Sequence, residues 1–472
     1  MTFFNEMYQN GAVRPQYRQI ADWIDAIGPE ALGARREEAE ALFRRVGITF
    51  AVYGEGGDPE RLIPFDMVPR VFSASEWSKI EAGSIQRSDA LNAFLRDVYG
   101  PREIIKAGIV PAQMVDQNEA YEPIMLGHMP PGGVFSHIIG VDLVRVSQDE
   151  SYVLEDNCRT PSGVSYVLQN REVMERMFPE LFNLGLVRPV EHYGDMLAEA
   201  MQTVAPPMCT GEPTLAVLTP GHYNSAYYEH SLLADLMGVE LVEGRDLFVK
   251  DDRVWMRTTR GPQVVDVLYR RIDDAFLDPH AFNPDSMLGV PGIMQAYKTG
   301  GVTIVNAPGA GVADDKALYT YVPDMVRFYL GEEPIFPNVP TWQCGRPDEC
   351  TYVLENLNEL VAKEVHGSGG YGMLIGPKAT KAEIEAYKER IEANPAGFIA
   401  QPTLALSTSP ILTDEGLAPR HVDLRPYVIS GTETKLIPGG LTRVALREGS
   451  LVVNSSQGGG VKDTWILNGE GI

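Results

Sequence analysis

The sequence predicts an α/β protein, or α+β with several lobes, on three observations. Stretches with helix-like apolar spacing and few breakers fill the first hundred residues. From about residue 133 short apolar strands alternate with helices. Residues 360–377, LVAKEVHGSGGYGMLIGP, set a lysine before a glycine run between two apolar segments. At 472 residues the chain is long enough for two or three domains with large cores.

Taken in order, Tyr17 to Ile27, Pro29 to Val46 and Ser73 to Val98 carry the apolar spacing of helices. Residues 133–157 form a β-hairpin, with strands near Gly140 to Val146 and Tyr152 to Asn157 around the polar turn Ser147-Gln148-Asp149-Glu150. A helix spans about Val190 to Val204. Residues 213–250 read as an α/β unit: strand Pro213 to Thr219, helix Asn224 to Met237, strand Glu240 to Val242. Asp246 to Met256 alternates as a hairpin does, and Val264 to Tyr269 and Val302 to Val305 are apolar strands. After the glycine run comes a helix at Lys381 to Ala393, and Ile399 to Leu467 is rich in strands.

The net charge is −24. Such a surface repels nucleic acid and anionic membranes, so neither is an expected partner. The first residues, MTFFNEMYQNGAVRPQ, lack the basic-then-apolar pattern of a signal peptide. No apolar run is long enough to span a membrane. Cys158, Cys209, Cys344 and Cys350 form no CxxC pair. The expectation is a cytoplasmic protein with reduced thiols.

Glycines let backbone N–H groups approach a phosphate chain, and a lysine adds a point charge to the same phosphates. Gly367-x-Gly369-x-x-Gly372 formally fits the dinucleotide fingerprint, but that fingerprint needs a helix opening directly after it. Here Met373-Leu374-Ile375 reads as a strand. The run is therefore a hairpin tip, with or without a ligand beneath it. Gly458-Gly459-Gly460-Val461-Lys462 does not fit the Walker pattern.

Three further clusters bear on chemistry. Glu155 and Asn157 lie two apart on a strand and so share a face. If Val146 pairs with Ser151, Asp142 lies opposite Glu155, and two opposed carboxylates repel unless a cation separates them. Mg2+ suits such oxygen ligands. Lys316, Lys363, Arg425 and Arg443 are cations on or beside apolar segments of an acidic chain. Asn454 to Gly460 is a polar loop, either a set of backbone donors or plain surface.

Together and in order, these segments resemble the circularly permuted ATP-grasp family, whose best-known relative is the synthetase part of glutathionylspermidine synthase. The carriers are VDLVRVSQDESYVLEDNCRTPSG (141–163), VVDVLYRRIDDAFLDP (264–279), VNAPGAGVADDKALYTYVP (305–323), the glycine hairpin, and HVDLRPYV with GGLTRVALREGSLVVNSSQGGGVKDTW (421–465). The resemblance implies a permuted ATP-grasp fold with an additional helical N-terminal region over 1–130. The permuted metal-binding part would span 131–205, an α/β substrate-side lobe 206–310, and the core and lid 311–472. It implies that Lys316 and Lys363 contact ATP phosphates under the hairpin Gly367-Ser368-Gly369-Gly370-Tyr371-Gly372, and that Gln401 sits at the hinge that reads adenine. It implies Asp142, Glu155 and Asn157 as Mg2+ ligands, and Arg443 and Arg425 facing the transferred phosphate. Arg270, Arg271, Ser162 and Gly163 would line the acceptor side. The activity implied is ATP- and Mg2+-dependent joining of a small-molecule or peptide carboxylate to an amine through an acyl phosphate, with a helical partner protein as a recurring companion in the family. The alternatives are a catalytically silent nucleotide-binding scaffold and a phosphotransferase that stops at the acyl phosphate.

Overall fold

The computed structural model of the chain describes residues 3–46, 49–51, 60–183, 185–367, 372–451, 453 and 459–470. The sequence places the first helices well: they run Arg18–Ile27, Pro29–Val46 and Ala74–Val98. Ser73 starts the third with a reciprocal cap, its hydroxyl accepting from the Glu76 N–H while the Glu76 carboxylate accepts from the Ser73 N–H. The same helix buries Trp77, Leu91, Phe94 and Leu95.

The amino-terminal region is not helical throughout. Phe65–Phe72 is a strand buried on both faces, paired in parallel with Gly460–Ile466 near the other end of the chain. It closes one edge of the central sheet. From there the strand order is Phe65–Phe72, Gly460–Ile466, Leu441–Val444, Gly416–Arg425, Ile138–Arg145, Tyr427–Ser430 and Thr434–Leu436. Ser151–Asn157 pairs with Ile138–Arg145, and Thr408–Thr413 pairs with Gly416–Arg425.

The acidic hairpin reaches its register by an indirect route. Next to the turn, Arg145 faces Ser151 and Leu143 faces Val153; one step on, Asp142 faces Glu155. Leu154 is the extra residue of a β-bulge. The turn is one residue longer than the sequence suggests, with the Val146 N–H donating to the Glu150 carbonyl at 3.1 Å. A slip of one residue would exchange the two faces of the strand, and the bulge restores the facing.

Two of the smaller sheets have four strands each. Thr303–Val305, Val267–Arg270, Leu215–Leu218 and Glu240–Val242 form, in that order, an all-parallel sheet. Trp342–Gln343, Phe398–Pro402, Leu360–Glu364 and Leu374–Ile375 form an antiparallel one. The latter has its own apolar core, including Val353, Leu357, Ala362, Ile391 and Phe398. Its flanking helix, Lys381–Ala393, is capped by Thr380 and Glu383. Leu360–Glu364 and Leu374–Ile375, on either side of the glycine run, pair antiparallel, which removes the dinucleotide fold as a reading. Among the described residues, no helix is long and apolar enough to cross a membrane.

Candidate functional site

Four neighbouring strands bring a row of charges across the central sheet. Asp142 faces Glu155, Leu143 faces Leu424, and Asp423 faces Arg443. Asp423 and Arg425 share a strand face by their spacing of two. The cation that separates the opposed carboxylates in this structure is a guanidinium. Arg425 grips Asp142 with two hydrogen bonds, Nη2 to Oδ2 at 2.8 Å and Nε to Oδ1, and reaches Glu155 at 3.7 Å. Arg443 donates to Asp142 at 2.6 Å and to Asp423 at 2.5 and 2.9 Å. Burial pushes the Asp142 carboxyl upward, but the two guanidiniums outweigh it and hold it well below the usual carboxylate range. In Asp423 burial prevails over Arg443 and the carboxyl is raised.

Glu155, Arg425 and Arg443 of this row line a cavity of about 740 Å³. Lys316 enters it from the loop before residues 318–321, with its Nζ donating to the Gly367 carbonyl at 2.5 Å and standing 3.7 Å from Glu155. Lys363 and Gln401 lie on adjacent strands, diagonal to each other, and the Lys363 Nζ donates to Gln401 Oε1 at 2.8 Å. Gln401 Nε2 donates in turn to the Thr341 hydroxyl at 3.0 Å. Burial pushes the Lys363 ammonium down to about 8, against the upward pull of Glu155. In a chain of net charge −24, Lys316, Arg425 and Arg443 line the cavity while Asp142 and Asp423 stay buried behind it. Cations turned to a cavity in this way suit a polyanion.

The Mg2+ set fits in part. Glu155 is a quarter exposed, lines the cavity, and has its nearest cations only at 3.7 Å. Asn157 turns its amide N–H to the Gly140 carbonyl at 3.2 Å, which leaves its oxygen as the end able to bind a cation. Asp142 differs: both of its oxygens are held by arginine, so it could join the set only by releasing one of them. Among the described residues no three His, Cys, Asp or Glu side chains converge to hold a metal. A cation here would rest on Glu155, Asn157 and phosphate oxygens, a donor set that suits Mg2+.

On the acceptor side the predicted residues separate. Ser162, Gly163 and Arg271 line the cavity. Arg271 is fixed by Glu229 at 3.0 Å, the Tyr269 hydroxyl at 3.0 Å and the Pro161 carbonyl at 2.7 Å. Arg270 does not reach the cavity. It is fully buried, its guanidinium donates to the carbonyls of Asn306, Ile272 and Ala307, and Asp274 pairs with it at 2.7 Å. It braces the loop after Thr303–Val305. Cys158 is a fully buried thiol, and burial pushes it up, away from the reactive thiolate.

Gly367 lines the cavity, and Gly372 has φ +70. Ser368, Gly369, Gly370 and Tyr371 lie outside the described residues, as do Asn454 to Gly458. Gly163 is held to glycine: its φ is +109, and an added Cβ would lie 2.7 Å from the Tyr427 hydroxyl and 2.8 Å from Leu441 Cδ2. Gly163→Ala is expected to lower stability by about 1–3 kcal/mol, read as a lower urea midpoint at unchanged slope.

Sequence reasoning missed Asp423, Glu229, Asp314, Arg159 and Asp273. The signal for Asp423 was present, since it stands two before Arg425 on a strand. Glu229 gave none: it is a helical carboxylate that proves buried, accepting from the N–H groups of Gly163 and Ser165 at 2.7 and 3.1 Å.

The circularly permuted ATP-grasp type 2 family matches residues 69–445. An uncharacterized protein of Synechocystis sp. is 51% identical over 469 residues, covering 99% of this chain and 97% of its own length. A Frankia alni protein whose name reads "Putative glutamate--cysteine ligase 2-3" is 44% identical over 466 residues, covering 97% of this chain and 53% of its own. In fold, the chain is similar to the apo structure of a glutathione synthetase-like effector from Globodera pallida. That likeness has a TM-score of 0.56 at 11% identity, over 93% of this chain and 98% of the other.

Proposed function

The chain belongs to the circularly permuted ATP-grasp type 2 family, and from that premise we propose that it is an ATP- and Mg2+-dependent ligase that joins a carboxylate to an amine through an acyl phosphate. One observation carries this reading: Lys316, Arg425 and Arg443 converge with Glu155 and Asn157 on one cavity, with Lys363 beside them. The word ligase in the name of the Frankia relative supports the same half of the reading.

A carboxylate repels an attacking amine until its charge is removed. In the first step a substrate carboxylate oxygen attacks the γ-phosphorus of ATP. An O–P bond forms, the bond to the β–γ bridging oxygen breaks, and ADP leaves with the electron pair. In the second step the amine nitrogen attacks the acyl carbon, the C–O bond to phosphate breaks, and phosphate leaves while the nitrogen gives up a proton. The tasks of the protein are positioning and charge neutralisation. Lys363 and Lys316 hold the phosphate chain, Gln401 the adenine end, and Arg425 and Arg443 the transferred group. Glu155 and Asn157 would hold Mg2+, joined by Asp142 once an arginine turns to phosphate, and the ion when bound neutralises phosphate oxygens. The domain division at 130, 205 and 310 belongs to the same reading, with Phe65–Phe72 assigned to the core.

The test is phosphate release from ATP–Mg2+ with pools of amino acids, polyamines and small peptides. The expected result is release that needs both a carboxylate and an amine. Release with a carboxylate alone, trapped by hydroxylamine, would make the protein a phosphotransferase. Binding of ATP without release under every pool would make it a scaffold.

A further inference from the structure

The parallel sheet of the lobe has a switch in its strand order. Leu215–Leu218 is followed on one side by Glu240–Val242 and on the other by Val267–Arg270. In open parallel sheets the crevice beyond the carboxyl ends of two such central strands is where ligands bind. Here it opens into the cavity already described. Asn224, Ser225 and Ala226 follow the first of the two strands, Arg271 and Asp273 follow the second, and all five line the cavity.

Two more elements meet the crevice. Arg159 comes from the end of the acidic hairpin and Asp314 from the loop before Lys316, and both line the cavity. Their ion pairs are loose: Arg159 stands 3.6 Å from Asp273 and 3.7 Å from Asp314. At the basic end the pairs of Asp142 and Asp423 close to 2.5–2.8 Å, and those of Glu155 stand at 3.7 Å. Asp314 Oδ1 is anchored by the backbone N–H groups of Cys158 and Arg159, while its Oδ2 meets nothing nearer than Arg159 Nε among the described pairs. The Nε atoms of Arg159 and of Arg271, a residue only 3% exposed, have no hydrogen-bond partner among the described residues. Cations and carboxylates thus stand side by side with unused donors and an unused acceptor.

At the end with Lys316, Arg425 and Arg443, the carboxylates Asp142 and Asp423 are buried and do not line the cavity, so the cations that do suit phosphates and the carboxylate that receives one. At the switch point both signs are present in one place. A bare polyamine would leave the arginines unmatched, and a bare carboxylate would be repelled by Asp273 and Asp314. We propose that the crevice formed by Arg159, Asp273 and Asp314 beside Arg271 is the subsite of the amine substrate, and that it takes a zwitterion, an amino acid whose ammonium faces Asp273 and Asp314 and whose carboxylate faces Arg159. The role of this ligand as the amine rests on the ligase reading; the subsite and its charge pattern do not.

The experiment measures binding to the full chain by calorimetry, with and without a non-hydrolysable ATP analogue and MgCl2. The probes are each proteinogenic amino acid singly, spermidine and acetate. At least one amino acid is expected to bind while spermidine and acetate do not. Asp273→Asn and Arg159→Gln should each weaken that amino acid roughly tenfold or more, and both should bind the ATP analogue as the parent chain does. Both side chains are partly exposed, so both variants are expected to fold. Binding of spermidine that Asp273→Asn abolishes would overturn the proposal, as would failure of every amino acid to bind, or an amino-acid affinity that neither substitution changes. An amino acid bound as described, with no binding or turnover of ATP, would instead sink the ligase reading and leave the subsite standing.

Discussion

Arg443→Met is expected to destabilise the protein by about 3–5 kcal/mol, because it leaves the buried Asp423 carboxylate without its cation, while Asp142 keeps Arg425. Arg443 satisfies Asp423 and one oxygen of Asp142, and both carboxylates are at most 1% exposed. Methionine replaces much of the volume, so the loss reports charge more than packing. The check is urea unfolding of Arg443→Met, Asp423→Asn and the double variant. The double variant should be more stable than the sum of the single losses predicts, since neutralising Asp423 removes one stranded charge, and the coupling should fall at about 0.5–3 kcal/mol. Additivity would mean that Asp423 does not depend on Arg443 and that the row of charges is a set of independent pairs.

That row shows which parts of the site were legible in the sequence. The opposition of Asp142 and Glu155 followed from strand alternation and a guessed turn, and it holds although the guessed turn was one residue short. The bulge at Leu154 that rescues it has no local signature. It is fixed from the other side of the strand, where Asp156 is gripped by Arg87 at 2.6 and 2.7 Å from the long helix Ala74–Val98. Phe65–Phe72 was unreadable for a related reason, as its partner strand lies almost four hundred residues away. The helix Val164–Met177 was passed over because it buries Gln169, Asn170 and Arg171, which blur its apolar spacing; Arg171 is matched by Asp463 at 2.9 Å, a partner no window could reveal. Arg270 and Arg271 are the converse case. Arg270 ends the strand Val267–Arg270 and Arg271 follows it; the first is buried away from the cavity and the second lines it, and the sequence could not say which of the two reaches it.

Lys363→Ala is expected to lower ATP turnover by roughly 10²–10³, the scale on which loss of one charge-stabilising donor is felt. The fold should survive, because Lys363 sits on a sheet with its own apolar core and, among the described residues, the one hydrogen bond of its side chain goes to Gln401. The pH dependence separates its charge from its shape. In the free protein the ammonium is pushed down to about 8 by burial. Bound phosphates favour the protonated form and raise that value. Below pH 8 the lysine is already charged and ATP binding takes up no proton there. Above about 8, and until the higher value of the complex is reached, binding must take up a proton, so the affinity should fall by about tenfold per pH unit. Calorimetry in two buffers of different ionisation enthalpy reads that proton directly. Lys363→Arg, whose guanidinium stays charged, should keep ATP binding and lose its dependence on pH across the same window. If the arginine variant retains the slope, the titrating group is not Lys363 and the lysine does not meet the phosphates.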